Sequence, residues 1–295
     1  CIVYSYNATC DGVKNWVEKF SDQRPIGMLD SGVGGLGVAR ELVRALPNEK
    51  LIYVGDTAHF PYGTRRASEI LSYVENIVPF FLEKRVKLLV LACNTASSVI
   101  LTQPGQAVDP RVPFIGVIGA GARVAARTSI SRKVGVLATE QTIKSEAYTR
   151  AIHSIDPDIR VIGQAAPELV ELVESGLAFE EGRLRECLER SISPLVNAGV
   201  DTVVLGCTHF LSLQQEVEHM FPQLLGVINP ASETVQEVID YLTEHQALAR
   251  SENEPIPSRE DFYITGDDLD HFCRLGSQLM GKPIVAQKLQ EKELH

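Results

Sequence analysis

Short apolar runs alternate with longer amphipathic stretches along most of the chain. Residues 26–29, 51–54 and 88–92 are apolar runs of strand length. The segments between them, at 37–46 and 68–84, carry apolar residues at helical spacing. Strands that alternate with helices predict an α/β fold whose parallel sheets are joined by right-handed crossovers.

The same pattern begins again in the middle of the chain. A strand at 134–139 opens a second series that leads to Cys207, over an interval similar to the one from the strand at 26–29 to Cys93. We therefore expect an internal duplication, with two pseudo-symmetric, doubly wound domains of parallel-type sheets. In open α/β sheets the ligand binds at the carboxyl ends of the strands, so the active site is expected in the cleft between the two domains.

The restart of the pattern also predicts the domain boundaries. The first domain is expected at 25–117 plus 228–295, and the second at 118–227. The strand-like segment 226–228 and the chain after it are expected to return to the first domain.

Residues 1–24 form an N-terminal extension outside this pattern. Val13, Trp16, Val17 and Phe20 recur at helical spacing and predict a short amphipathic helix. Such a helix either covers the body of the protein or binds a regulator or partner.

Composition and charge narrow the possible functions. The net charge of −10 gives no general attraction to nucleic acid or to anionic membranes. No apolar run approaches the roughly 20 residues that a membrane helix requires. The six cysteines show no paired spacing, which favours reduced thiols and a cytoplasmic location.

Cys93 and Cys207 follow predicted strands in similar contexts, and small polar residues come after each. Free cysteines are often buried and inert, but two in matching contexts suggest one site. A redox dithiol lacks the C-x-x-C spacing. A metal site could use Cys207, His209 and Cys93, yet no second close Cys/His pair completes a tetrahedral set. Moving a proton from one face of a carbon to the other needs the same group twice.

A glycine-rich segment, 32–37, follows the first strand and matches G-x-G-x-x-G, with Asp56 about 20 residues later. This pattern is typical of dinucleotide binding, and it also occurs as a purely structural turn. Asp30 and Ser31 precede the first glycine. A carboxylate there disfavours a pyrophosphate and favours an ammonium group, so we expect this turn to present Asp30 and Ser31 to a small ligand.

Three further segments carry candidate binding groups. Tyr62 and Gly63 lie in a turn whose backbone N–H groups, with the tyrosine hydroxyl, are expected to hold an anion, although a plain β-turn has the same signature. Asn94 and Thr95 start a predicted helix, whose N-terminus is expected to lower the pKa of the adjacent thiol and to hold a carboxylate. Glu174 falls near a helix end, where a solvated surface position is the alternative.

Four segments, in their order along the chain, resemble motifs of the aspartate/glutamate racemase superfamily. They are 29–36, 61–63, 92–97 and 205–209. Aspartate-specific members typically carry His at the position of Ser97 and Glu at that of His209. The chain therefore looks more similar to the glutamate-specific members.

The resemblance implies a reaction with two bases and no metal or other cofactor. By analogy, Cys93 acts on D-glutamate and Cys207 on L-glutamate, assisted by Asp30 and His209 respectively, with Glu174 near the second thiol. The substrate-binding residues implied by the matching motifs are Asp30, Ser31, Tyr62, Gly63, Asn94, Thr95, Thr208 and His209.

The resemblance also implies a biological setting. The expected product is D-glutamate for peptidoglycan synthesis in a bacterial cytoplasm, made by a homodimer with no membrane or direct nucleic-acid partner. Some members with an N-terminal extension are activated by UDP-N-acetylmuramoyl-L-alanine. Alternatives are racemisation of aspartate or another amino acid, and a moonlighting member that binds DNA gyrase.

Overall fold

The computed structural model describes residues 22–102, 109, 111–175, 181–250 and 259–290. The amphipathic helix predicted within 1–24 lies outside these residues. The described chain contains two parallel sheets. Their strands are β1 Ile26–Asp30, β2 Leu51–Gly55, β3 Leu88–Leu91, β4 Phe114–Gly116, β5 Lys133–Ala138, β6 Arg160–Ala165, β7 Thr202–Gly206, β8 Gly226–Ile228, β9 Glu260–Ile264 and β10 Ala286–Lys288.

Helices separate most of the strands, as the amphipathic segments predict. The α-helices are α1 Leu36–Ala45, α2 Ala67–Glu83, α3 Asn94–Thr102, α4 Val117–Thr128, α5 Glu140–Lys144, α6 Ala147–His153, α7 Pro167–Glu174, α8 Glu181–Asn197, α9 Gln214–Met220, α10 Pro230–Glu244 and α11 Leu269–Met280. Short 3-10 helices lie at Thr57–His59, Tyr62–Thr64 and Thr208–Leu213. In the part of the chain that the structure describes, none of the helices has both the length and the apolar character needed to cross a membrane.

The first sheet has the strand order β10-β9-β2-β1-β3-β4, and the second has the order β6-β5-β7-β8. All neighbouring strands in both sheets run parallel. The central strands β1, β2, β3 and β7 are buried along their whole length, because helices cover both faces of each sheet. The predicted fold class, with two α/β units, is confirmed.

Each sheet forms one lobe with the helices that pack on it. In the first lobe, α1, α10 and α11 cover one face of the sheet and α2 and α3 cover the other. In the second lobe, α7 to α9 cover one face and α4 and α6 the other. Helix α10 contacts both α1 and α4, and so ties the two lobes together.

One strand that was predicted to return to the first domain belongs to the second lobe. Gly226–Ile228 was expected to return to the first domain, but it pairs with β7 as the edge strand of the second sheet. Val227 and Ile228 are buried in the two cores of that lobe. The return to the first lobe comes after this strand, through α10 and then β9.

Parallel strands place their carboxyl ends at the same edge of a sheet, and the predicted chemistry collects there. In the first lobe, β1 ends at Asp30, and Cys93 lies two residues after the end of β3. In the second lobe, β5 leads into Thr139 and β7 into Cys207. Hydrogen bonds between side chains of the two lobes close the space between these edges.

Candidate active site

Cys93 lies at the junction between β3 and α3 and is only 4% exposed. Its thiol donates to Ser31 Oγ at 3.7 Å, and its sulfur accepts from the Ala96 N–H at 3.5 Å. Burial raises the pKa of the Cys93 thiol to about 12, and the charge of Asp30 acts in the same direction. The expectation that the helix start lowers this pKa is wrong, because the Ala96 hydrogen bond is outweighed by burial.

Asp30 is fully buried beside this thiol. Its Oδ1 accepts from the Gly32 N–H at 3.0 Å, and its Oδ2 accepts from Thr208 Oγ1 of the second lobe at 3.2 Å. Burial raises the pKa of Asp30, while the charge of His209 and these hydrogen bonds oppose the rise. Asp30 therefore connects the first thiol to the segment that carries the second.

Cys207 and His209 occupy the matching edge of the second lobe. The Cys207 sulfur lies 3.9 Å from His209 Nδ1, and His209 Nε2 lies 2.7 Å from Glu174 Oε2. Burial acts to lower the pKa of His209, but its hydrogen bonds to Cys207 and Glu174 outweigh burial and raise the pKa to about 10. His209 is therefore an imidazolium at neutral pH, a cationic donor beside the Cys207 sulfur.

Glu174 is the carboxylate partner of that imidazolium. Burial acts to raise its pKa, but the hydrogen bond and charge of His209, together with His271, lower it overall. Its side chain is 20% exposed, so the solvated-surface alternative does not describe it. The chain after Cys207 forms a 3-10 helix rather than the α-helix that follows Cys93. The two thiols thus have similar positions and different surroundings.

Asn94 and Thr95 start α3 and face partners in the second lobe. Asn94 Oδ1 accepts from the Tyr148 hydroxyl at 2.7 Å. Thr95 Oγ1 lies 3.0 Å from Thr139 Oγ1, which in turn lies 3.0 Å from Thr142 Oγ1. All five side chains are buried.

Neither Thr139 nor Thr142 was predicted from the sequence as a site residue. Thr139 directly follows β5, as the functional loops follow β1, β3 and β7. Its hydroxyl also caps α5 by accepting from the Thr142 N–H. The internal repeat of the sequence already indicated Thr139, because the residue after a strand of the second series lies at the carboxyl edge of its sheet, as the residues after β1 and β3 do in the first.

Tyr62 is placed at the site, but its hydroxyl has another partner. The hydroxyl donates to Asp56 Oδ2 at 2.6 Å, and the ring is 1% exposed. The expectation that this hydroxyl holds the anion of a ligand is therefore wrong; any such contribution comes from the backbone of Tyr62 and Gly63. A Cβ added at Gly63 would lie 2.8 Å from Thr139, so this turn closely approaches the second lobe.

Asp56 does not occupy the position that a dinucleotide site requires. It is fully buried, and its carboxylate contacts His59 Nδ1, the Tyr62 hydroxyl and the Thr265 hydroxyl. No ribose can reach it without breaking these contacts. Among the residues that the structure describes, no group of three His, Cys, Asp or Glu side chains is arranged to hold a metal ion.

The two thiols belong to one site between the lobes, because Thr208, next to Cys207, donates to Asp30, and Ser31, next to Asp30, accepts from Cys93. Each has its own polar partner, the carboxylate of Asp30 for one and the imidazolium of His209 for the other. Two buried thiols with different polar partners are suited to acid/base chemistry, as in racemases that need no cofactor. The chain belongs to the Asp/Glu/Hydantoin racemase family, whose model matches residues 26–238.

Several glutamate racemases are similar to the chain over most of its length. The enzyme of Lactobacillus helveticus is 37% identical over 261 residues, which is 88% of this chain and 95% of the relative. A solved glutamate racemase isoform of Bacillus anthracis is 34% identical, covers 91% of this chain and 98% of its own, and has a TM-score of 0.84. The Escherichia coli glutamate racemase, solved with L-glutamate and the activator UDP-MurNAc-Ala, is 30% identical, covers 90% and 98%, and has a TM-score of 0.71.

Proposed function

We propose that the protein interconverts L- and D-glutamate by transferring protons at the α-carbon with Cys93 and Cys207. The observation that carries the proposal is the pair of buried thiols at matching strand ends, each beside a different polar partner. The similarity to glutamate racemases over about nine-tenths of the chain supports glutamate as the substrate.

From L-glutamate, the Cys207 thiolate takes the α-proton. The His209 imidazolium donates a hydrogen bond to the sulfur and keeps its own proton. The Cys93 thiol, whose raised pKa of about 12 keeps it protonated, delivers its proton to the opposite face of the carbon. The products are D-glutamate, a Cys207 thiol and a Cys93 thiolate. The reverse reaction starts from that state, so each thiol serves as base in one direction and acid in the other.

The α-proton of glutamate is only weakly acidic, so the protein must stabilise the carbanion-like state that forms as this proton leaves. N–H groups at the starts of α3 and of the 3-10 helix at Thr208–Leu213 are positioned to hold the α-carboxylate, with the side chains of Asn94, Thr95 and Thr208 around them. Asp30 and Ser31 lie beside Cys93 and suit the ammonium group. The backbone of Tyr62 and Gly63 suits the second carboxylate. Each of these binding roles is part of the proposal.

The direct test is incubation of the purified protein with L-glutamate in D₂O. Loss of optical activity by circular dichroism and deuterium uptake at Cα are expected together, and faster exchange of L-aspartate would reject glutamate as the substrate. Cys93→Ala and Cys207→Ala are each expected to abolish racemisation. Cys187→Ala is the matched control, because that thiol is equally buried but contacts Glu168 in another part of the second lobe.

We also propose the wider setting of the reaction. D-Glutamate made in a bacterial cytoplasm supplies peptidoglycan synthesis, and the protein acts as a homodimer. The bound activator in the Escherichia coli relative supports a further expectation, that UDP-N-acetylmuramoyl-L-alanine increases the rate here. Assays with and without that compound test activation, and light scattering tests the dimer.

A further inference from the structure

Glu174 accepts hydrogen bonds from two histidines that belong to different lobes. Its Oε2 lies 2.7 Å from His209 Nε2, and its Oε1 lies 3.4 Å from His271 Nε2. His209 and Glu174 are part of the second lobe, whereas His271 lies in the first turn of α11 in the first lobe. The carboxylate beside the Cys207 machinery is thus held from both sides of the cleft.

The neighbours of His271 determine which of its nitrogens carries the proton. Arg274 Nη2 lies 3.2 Å from His271 Nδ1. A guanidinium only donates hydrogen bonds, so Nδ1 must be the acceptor and the ring proton must be on Nε2. That N–H points at Glu174 Oε1. His271 therefore contacts Glu174 and Arg274 at once, through its two different ring nitrogens.

The backbone around His271 fixes it to the first lobe. Asp268 caps α11 by accepting from the His271 N–H at 2.9 Å. The next residue, Phe272, is 1% exposed and packs against Tyr53 with ring centroids 6.2 Å apart. The position of the His271 ring therefore follows the core of the first lobe, and its contact with Glu174 connects the two lobes.

We propose that His271 is a positioning residue for the proton transfer at Cys207. It holds Oε1 of Glu174, which leaves Oε2 aligned with His209 and so orients the imidazolium toward the Cys207 sulfur. Cys93 has no part in this chain of contacts, so the effect is confined to one of the two thiols. The inference rests on the proposed glutamate racemisation.

The variant His271→Leu removes the donor, and His271→Gln keeps an N–H donor near the position of Nε2. His271→Leu is expected to lower kcat/KM by about fivefold, the effect of losing one partly exposed hydrogen bond to a charged group. His271→Gln should recover most of this loss. His219→Gln is the control, because His219 is exposed on α9.

Isotope effects then identify the thiol. The two enantiomers have equal energy, so kcat/KM must fall equally in both directions. With L-glutamate deuterated at Cα, the label is removed by Cys207; with deuterated D-glutamate, it is removed by Cys93. If His271→Leu slows only the Cys207 step, the isotope effect on kcat/KM rises for the L-enantiomer and falls for the D-enantiomer.

Each outcome has a distinct meaning. Opposite changes in the two isotope effects, with recovery in His271→Gln, support the positioning role. Unchanged kinetics in His271→Leu, parallel changes in both isotope effects, or a loss that His271→Gln does not recover overturn it while leaving the proposed function intact. Failure of the unaltered protein to racemise glutamate rejects the proposed function and this inference together.

Discussion

Gly34 of the first lobe lies directly against His209 of the second. A Cβ added at Gly34 would come within 2.8 Å of His209 Nδ1, the atom that faces the Cys207 sulfur, and would also overlap Thr208 Oγ1. Gly34 of the glycine-rich turn therefore lacks a side chain for a reason that is unrelated to phosphate binding. The absence of a side chain allows the backbone of Gly34 to approach His209, the partner of Cys207.

Gly34→Ala is expected to displace His209 and to lower kcat/KM by about 10- to 100-fold, the usual cost of a catalytic group shifted by about 1 Å. Gly37→Ala is the control, because its Cβ would meet only Leu211 Cδ1, at 3.6 Å. Thermal unfolding should show both variants folded. Equal activity of the two variants would contradict the proposed close approach.

Asp30 and Cys93 are coupled through charge, which leads to a prediction about thiol reactivity. Burial is the larger cause of the raised pKa of Cys93, and the Asp30 charge adds to it. Removing that charge in Asp30→Asn should lower the thiol pKa, and a fall of about one unit means about tenfold faster alkylation at a pH below the pKa.

The measurement is iodoacetamide labelling of the Cys93 peptide at mildly alkaline pH, followed by mass spectrometry. Asp261→Asn is the control, because that carboxylate is exposed on β9. A slower or unchanged rate in Asp30→Asn, with the fold intact, would show that the Asp30 charge does not govern the thiol.

Hydrophobic periodicity and turn residues are local signals. They were therefore sufficient to predict the parallel sheets and the strand ends that carry Asp30, Cys93 and Cys207. They did not identify Thr139 or His271. Only its place after a strand of the second series marks Thr139 in the sequence, and its role depends on the facing hydroxyl of Thr95. His271 depends on a contact with Glu174, 97 positions away in the chain, and no spacing rule connects the two.

The pKa of Cys93 shows a second limit of sequence reasoning. A helix start beside a thiol predicts a lowered pKa, and the Ala96 N–H does act in that direction. Burial of the thiol outweighs this effect and raises the pKa. The extent of that burial depends on how completely the second lobe covers the site. Likewise, the hydroxyl of Tyr62 looked available in the sequence because its partner Asp56 lies six positions earlier, beyond the turn itself.

The Tyr148 hydroxyl holds Asn94 in place from the second lobe. It donates to Asn94 Oδ1, and burial raises the pKa of Tyr148 so that it remains a donor. Tyr148→Phe should leave the amide oxygen without this partner and destabilise the protein by about 1–3 kcal/mol. If Asn94 holds substrate, the KM for glutamate should rise as well.

Denaturant unfolding and steady-state kinetics measure the two effects of Tyr148→Phe. Tyr241→Phe is the control, because Tyr241 lies on α10 and stacks on the exposed His245. A destabilised Tyr148→Phe protein with an unchanged KM would assign the hydrogen bond to stability alone and would remove Asn94 from the proposed binding residues.

The His209–Glu174 pair should make stability depend on pH. The pKa of His209 rises from 6.5 to about 10 on folding, so the folded protein binds the proton more tightly than the unfolded chain. The resulting stabilisation is complete below pH 6.5 and is lost as the pH rises through about 10. The lowered pKa of Glu174 has the opposite dependence, present above its ordinary 4.5 and lost as the pH falls through the folded value.

Comparison with His209→Gln tests this contribution, because the titrating groups that do not contact His209 affect both proteins alike. The difference in the free energy of unfolding between the two proteins should be largest between pH 4.5 and 6.5, where both contributions are present, and should shrink from there toward about pH 10. Racemisation should fall over the same alkaline range, since a neutral His209 no longer supplies a positive charge beside Cys207. A stability difference that stays constant from neutral pH to above about 10 would mean that His209 is not held as an imidazolium by Glu174.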